Sequence, residues 1–298
     1  MILIICIIII IFIIMNKNDE VYVSPLKPIC NRPPMGWNSW SCFGTDINET
    51  KIKEIVEALL LHKLDTYGYE YIILDDGWMT MHRSTDGQLV ADPIKFPSGM
   101  KALGDYIHSK GLKFGIYTSV GRKTCEGYPG SFGYEQIDTD TFASWGVDYI
   151  KIDWCTYKHL WWPFWNYKTR YEIFSDAITK NERPMIIAFC NWGFGKPWEW
   201  EMSHTFRITF DTLPTKYSIR YVVEMARRLE YISKPNGWID LDALEIGNGI
   251  SQDLARFQFY WWCMLKSPLI IGCDLRYIHQ EDLDIITNMD LIRQNQGY

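Results

Sequence analysis

The chain has 298 residues and a net charge of −6, with 22% charged side chains. That length suits one large domain, and the lack of a basic stripe argues against a nucleic-acid partner. Aromatic residues make up 15%, including 14 Trp and 18 Tyr. Such a surplus fits a cleft in which rings stack on the C–H faces of sugars, and it equally fits plain core packing.

Residues 1–15 are wholly apolar, and a polar run, 16–20, follows. The apolar run is short of the roughly 17–25 residues of a membrane span and matches the core of a signal peptide. No Lys or Arg precedes it and no small-x-small cleavage site is evident, so an uncleaved anchor is the alternative. Residues 1–20 are set aside as a signal peptide or N-terminal hydrophobic segment. That implies the secretory pathway, with a secreted or lysosomal/vacuolar destination and no stable membrane association after removal. Of the 8 cysteines, Cys6 lies in this segment, leaving Cys30, Cys42, Cys125, Cys155, Cys190, Cys263 and Cys273. Their spacing suits no zinc module. An oxidising compartment would allow one or two disulfides, and the odd count leaves a thiol over. Asn48-Glu49-Thr50 is the one N-glycosylation sequon.

Apolar, strand-like runs recur at 35–40, 71–75, 113–118, 148–153, 185–190, 206–210, 237–241 and 268–272. Between them lie amphipathic stretches. Ile52, Ile55, Val56, Leu59, Leu60 and Leu64 repeat at helical spacing, with Gly68 as a stop. A second helix is predicted over 99–108, a third over 217–231 and a last over 282–295. Eight strand-then-helix units in residues 30–298 predict an α/β fold, a (β/α)8 TIM barrel. A doubly wound sheet is disfavoured because no Gly-rich phosphate loop opens a helix.

In such barrels chemistry sits at the C-terminal strand ends. Polar residues gather there: Asp75 and Asp76 after strand two, Tyr117 on three, Lys151 and Asp153 on four, Asn191 and Trp192 after five, Arg207 and Asp211 at six, Asp240 and Asp242 at seven. Like charges repel in a low-dielectric cleft, so this many acids on one rim need a purpose. No His stands at these tips, which argues against a transition metal, and a Mg²⁺ site is the lesser alternative; no cofactor is expected. A polyhydroxylated substrate fits better: carboxylates accept from hydroxyls, Lys and Arg donate, and Trp stacks. Two Asp on different strands also supply the pair that glycoside hydrolysis needs. Lys151, beside Asp153 on one strand face, is expected to hold the Asp153 pKa down, suiting a nucleophile. Asp211 is expected to be raised by the neighbouring negative charge, with Arg207 opposing, suiting an acid/base.

Seven ordered motifs carry a family resemblance: P-P-M-G-W-N-S-W (33–40), G-Y-E-Y-I-I-L-D-D-G-W (68–78), A-D-P-I-K-F-P-S-G-M (91–100), H-S-K-G-L-K-F-G-I-Y (108–117), K-T-C-E-G-Y-P-G-S-F-G-Y (123–134), W-G-V-D-Y-I-K-I-D-W-C (145–155) and G-W-I-D-L-D-A-L-E-I-G-N (237–248). Over residues 32–298 the chain resembles the α-galactosidase and α-N-acetylgalactosaminidase family, glycoside hydrolase family 27. The resemblance implies a catalytic (β/α)8 barrel and a retaining double displacement. The family nucleophile falls on Asp153 and the acid/base, four residues after an Arg, on Asp211. Positions holding the sugar hydroxyls fall on Trp40, Asp75, Asp76, Lys151, Arg207 and Asp242, with Tyr117 lining the site. A family disulfide beside the site would join Cys125 to Cys155. The segment that reads the sugar's 2-substituent falls on 190–193, and Asn191 with the bulky Trp192 matches the galactose form rather than the N-acetyl form.

The substrate implied is a terminal α-galactoside. An α-N-acetylgalactosaminidase and a non-catalytic galactoside-binding barrel are the alternatives, and a homodimer is compatible with any of them. Departures are Gly77 in place of a family Cys, Ser203 in place of the partner of Cys190, Ile239 and Leu241 around the strand-seven acids, and Ala243 in place of Met. They leave Cys30, Cys42 and Cys190 without an assigned partner. Asp240 reads as structural. The family's C-terminal antiparallel β domain is expected to be missing, through truncation or true absence.

Overall fold

The computed structural model describes residues 26–155, 167–193 and 199–297. The predicted signal segment, 1–20, lies outside the described residues. Eight strands form one sheet: β1 Met35–Asn38, β2 Tyr71–Leu74, β3 Lys113–Ser119, β4 Tyr149–Asp153, β5 Ile186–Cys190, β6 Thr205–Arg207, β7 Trp238–Asp240 and β8 Leu269–Ile271. The order is β7-β6-β5-β4-β3-β2-β1-β8, and every pairing is parallel. The sheet closes just beyond β7. Leu244 bridges Ile271, its amide donates to Ile270 O at 2.7 Å, and its carbonyl accepts from Gly272 N at 3.1 Å. The fold is the (β/α)8 barrel that the spacing predicts.

Alternation along the strands builds the interior in two storeys. The lower storey is apolar: Tyr71, Ile73, Tyr149, Ile186, Ala188, Trp238 and Ile270 pack as one buried cluster, with the Tyr71 and Tyr149 rings 5.7 Å apart. Two residues further along the same strand faces come Asp75 and Lys151, and two beyond Lys151 comes Asp153. The larger apolar cluster contains the other strand faces and the buried sides of helices such as Glu49–Leu61 and Gln252–Met264.

Much of the aromatic surplus turns out to be core. Trp37, Trp78 and Trp262 are fully buried. Each donates its indole N–H to a carbonyl at the site end of the barrel: Cys273 O at 2.8 Å, Tyr117 O at 2.9 Å and Asp242 O at 2.9 Å. These rings fix the strand tips as well as filling volume.

The helical boundaries differ from expectation in three places. The first helix ends at Leu61, and a separate 3-10 turn, Leu64–Tyr67, leads to Gly68. The predicted helix over 217–231 stops at Arg227 and resumes as a 3-10 turn, Glu230–Ile232. The predicted helix over 282–295 is two, Gln280–Ile286 and Met289–Gln296. Asn288 separates them because its carboxamide oxygen caps the second helix, accepting from Leu291 N at 3.2 Å. Asn48, the sequon residue, likewise caps helix Glu49–Leu61 by accepting from Lys51 N at 2.9 Å, which is a structural reason for Asn there. No helix among the described residues is long and apolar enough to cross a membrane.

Candidate active site

The strand tips open into a cleft of about 750 Å³. Of the residues predicted for the site, Trp40, Asp75, Asp76, Tyr117, Cys125, Lys151, Asp153, Trp192, Arg207, Asp211 and Asp242 all line it. Asn191 does not: it is fully buried beyond the tip of β5. Trp192 takes a left-handed backbone, φ +57°. Gly193 follows at φ +80°, pressed so close to the segment just after β6 that a Cβ would lie 2.2 Å from Ile208 O. β6 ends at Arg207, so Asp211 lies beyond the strand, with its side chain largely exposed on the rim.

Lys151 does not pair with Asp153. Its ammonium donates to Asp75 Oδ2 at 2.7 Å, and Asn38 Nδ2 donates to the same oxygen at 2.9 Å. Asp75 Oδ1 accepts from Asp76 N at 2.9 Å. Asp76 in turn accepts from Gly77 N at 2.9 Å and Glu126 N at 3.0 Å, yet burial still pushes its pKa up to about 7. Gly77 has φ +95°, and a Cβ there would meet Thr45 Cβ at 2.8 Å. The first loop lies too close for the cysteine that other family members are expected to carry.

Asp153 is 6% exposed. Trp154 N donates to its Oδ1 at 2.7 Å, and the Tyr117 hydroxyl donates to its Oδ2 at 3.1 Å. Burial raises its pKa to about 6; Lys151 pulls it down, but not enough. The expected depression is therefore overturned, because desolvation outweighs an ammonium committed to Asp75. Cys125 and Cys155 form a disulfide, S–S 2.02 Å, that ties the segment after β3 to the end of β4. Cys30, Cys42, Cys190, Cys263 and Cys273 are free thiols. Cys125, Cys155 and Asp153 place their donor atoms within 4.8 Å of one another. The two sulfurs are bonded to each other, so the group offers a metal only one carboxylate.

Arg207, 2% exposed, clamps the other side. Its two terminal nitrogens reach Asp211 Oδ1 at 3.0 Å and Asp242 Oδ1 at 2.9 Å. Cys190 Sγ accepts from the guanidinium at 3.7 Å. For Asp211, partial desolvation raises the pKa, but Arg207 and then Lys151 outweigh it and the net direction is down. The expected elevation is overturned as well. The side chain of Asp211 is 59% exposed, so water screens this pull. Asp242 sits at φ +76°, a costly region for a side-chain-bearing residue. It is held there by its own amide donating to Asp240 Oδ1 at 2.8 Å and by Thr212 N donating to its Oδ2 at 2.7 Å. Asp240 thus supports the turn as well as lining the cleft.

Residues not singled out from the sequence also line the cleft: Asn38, Ser41, Glu126, Glu245, Asn248, Asp274 and Tyr277. Asn38, Glu126, Glu245 and Asn248 lie inside quoted motifs, so a signal existed for them. Tyr277, in the turn after β8, carried none.

The alpha galactosidase A family model (Melibiase_2) matches residues 32–297. The "Alpha-galactosidase A" of Cellvibrio japonicus is 39% identical over 283 residues, covering 91% of this chain and 69% of its own length. Among solved structures, alpha-galactosidase I from Mortierella vinacea superposes with a TM-score of 0.86 at 36% identity, covering 90% of this chain and 73% of that one. An alpha-galactosidase from Saccharomyces cerevisiae with raffinose gives a TM-score of 0.84 at 34% identity, covering 92% and 66%. Across the first three curated relatives the chain spans 61–69% of their length.

Proposed function

The chain belongs to the alpha galactosidase A family, and from that premise we propose that it hydrolyses terminal, non-reducing α-D-galactose residues by a retaining double displacement. The observation that carries this reading is the pair Asp153 and Asp211, one at the tip of β4 and the other beyond β6, lining a single cleft. Asp153 attacks the anomeric carbon while Asp211 protonates the departing oxygen. Water then cleaves the glycosyl ester with Asp211 as base. Tyr117 holds one oxygen of Asp153, and Trp154 N holds the other. The Asp75–Lys151 pair and Asp76 offer acceptors and a donor to the sugar hydroxyls, and Trp40 offers a ring face.

Ionisation of the pair follows from its two environments. In the free site Asp153 tends to hold a proton and Asp211 to release one, the reverse of what catalysis uses. Substrate changes the Asp211 side. A leaving group over Asp211 removes the water that now solvates it, which favours its neutral form. The galactose form of the substrate is supported by Trp192, whose bulk lines the cleft where an acetamide would need room. Export is supported by the disulfide, which persists in oxidising compartments; a signal peptide over 1–20 and a secreted or vacuolar destination remain part of the proposal.

The test is hydrolysis of an aryl α-galactoside and its N-acetylgalactosaminide by the purified chain and by Asp153→Ala. Turnover of the galactoside lost in the variant is expected. Full activity in the variant, or preference for the N-acetyl substrate, would reject the reading.

A further inference from the structure

The stretch of chain that carries Asp211 is exposed almost throughout. From Phe210 to Tyr217 every residue is exposed except Thr212, which is 5% exposed. β6 ends at Arg207, four residues before Asp211, so no strand pairing holds the carboxyl. A group that must deliver a proton to one oxygen has to be kept within about 0.5 Å of its productive place. Something other than the sheet must do this.

Two ties are present. The first is the Arg207 guanidinium, which reaches Asp211 Oδ1 at 3.0 Å. It holds the side chain and leaves the backbone free. The second is Thr212. Its amide donates to Asp242 Oδ2 at 2.7 Å, and its hydroxyl donates to Leu241 O at 3.0 Å. Both acceptors lie in the segment just after β7. Asp242 also meets Arg207 at 2.9 Å. Asp211, Arg207, Asp242 and Thr212 therefore form a closed ring of contacts, with the peptide between Asp211 and Thr212 as its last link.

The receiving end is rigid. Leu241 N donates to Ser267 Oγ at 3.0 Å, Asp242 N to Asp240 Oδ1 at 2.8 Å, and the buried Trp262 ring donates to Asp242 O at 2.9 Å. Further along the exposed run the bonds are local. Leu213 N donates to Ser218 Oγ at 2.9 Å and Thr215 N to Leu213 O at 2.7 Å, and neither reaches another strand.

We infer that Thr212 is a positioning residue for Asp211: its buried hydroxyl, bonded to Leu241 O, moors the exposed run to the β7 side of the cleft and sets where the Asp211 carboxyl meets the glycosidic oxygen. The inference rests on the galactosidase reading and deepens it. Thr212 moves no proton itself. Its effect falls on the step in which Asp211 gives its proton to the departing oxygen, because orientation is what the mooring supplies there.

The experiment compares kcat/KM for methyl α-D-galactoside, whose alkoxide needs that proton, with kcat/KM for an activated nitrophenyl α-galactoside, whose leaving group does not. Thr212→Val keeps the shape and loses the hydroxyl. In it the methyl-to-nitrophenyl ratio should fall about threefold to tenfold, the worth of one neutral hydrogen bond. Thr212→Ser restores the hydroxyl and should recover most of the ratio. Nitrophenyl turnover shows that each variant has folded. An unchanged ratio in Thr212→Val overturns the role. So does an equal loss on both substrates, which is what a purely structural Thr212 would give, and so does a Thr212→Ser no better than Thr212→Val. A wild-type chain that cleaves neither substrate overturns the galactosidase reading and this inference with it. An active wild type whose ratio stays fixed in the variants overturns this inference alone.

Discussion

Lys151 gives its ammonium to Asp75, on the neighbouring but one strand, and not to Asp153, two residues along its own. The contact is 2.7 Å, and the Asp75 side chain is 3% exposed. One cation therefore neutralises a carboxylate that is almost wholly buried. Asp153 is left to desolvation and to two hydrogen bonds.

The first expectation concerns that pair. Lys151→Met leaves Asp75 charged and buried, a change that costs on the order of 3–5 kcal/mol. Adding Asp75→Asn should recover part of the loss, since the unpaired charge then disappears. Chemical denaturation of the single and double variants measures it; a double variant no more stable than Lys151→Met would contradict the pairing.

Asp153 gives a stability effect of definite sign. Its pKa lies at about 6, against an ordinary 3.8, so the folded state binds its proton more tightly than the unfolded chain does. The contribution is favourable to neither state at pH 3, and it becomes a growing penalty as pH rises from about 4 through 6. Asp153→Asn removes the penalty. At pH 7 the inactive variant should be more stable than the parent by roughly 1–3 kcal/mol, and at pH 3–4 the two should converge. Melting curves at both pH values decide it, and equal stability at pH 7 would count against the desolvated carboxylate.

The same two carboxylates set the pH profile. Productive enzyme has Asp153 ionised and Asp211 protonated, while the free site favours the opposite. With such an ordering kcat/KM is bell-shaped, its alkaline limb follows the higher of the two macroscopic values, and activity falls above about pH 6. Initial rates at low galactoside concentration from pH 3 to 9 test this. A plateau extending to pH 8 would mean that substrate does not meet the free site in this state.

Asp211 should show its role through the leaving group. Asp211→Ala is expected to lower kcat/KM for an alkyl galactoside by about 10²–10⁴ and to affect an activated nitrophenyl galactoside far less, because nitrophenolate departs without protonation. Equal losses on both substrates would assign Asp211 to binding instead.

The Cys125–Cys155 bridge closes a separation of 30 residues. Loop-closure entropy for that length is worth about 3–4 kcal/mol. Cys125→Ser with Cys155→Ser should lower Tm accordingly. It should also lower kcat, because Cys155 lies two residues beyond Asp153 and its sulfur is 3.3 Å from the Tyr117 hydroxyl that bonds Asp153. Thermal melting and steady-state rates, read together, separate the two effects.

The barrel was legible in the chain because parallel, doubly covered strands are continuous apolar runs and their helices repeat at a different period. The strand tips were legible too: Asp75, Lys151, Asp153 and Arg207 stand where apolar runs end in charge, and a buried charge must have a purpose. Local boundaries were less so. Asn288 splits a helix by a side-chain bond that no periodicity reports, and the close approach of Gly193 to Ile208 is a contact between strand ends that no local pattern shows.

Which acids and aromatics line the cleft follows from residue type, spacing and the motifs at the strand tips, and those belong to the sequence alone. Which charge neutralises which does not. The distance from Lys151 to Asp75 depends on curling eight strands into a closed barrel, and pKa values depend on distance and burial, so Asp153 is raised and Asp211 lowered against the expectation from neighbours along the chain. The cleft itself belongs to the tertiary structure for the same reason: strand tips and connections far apart in sequence become its walls only when Leu244 closes β7 onto β8.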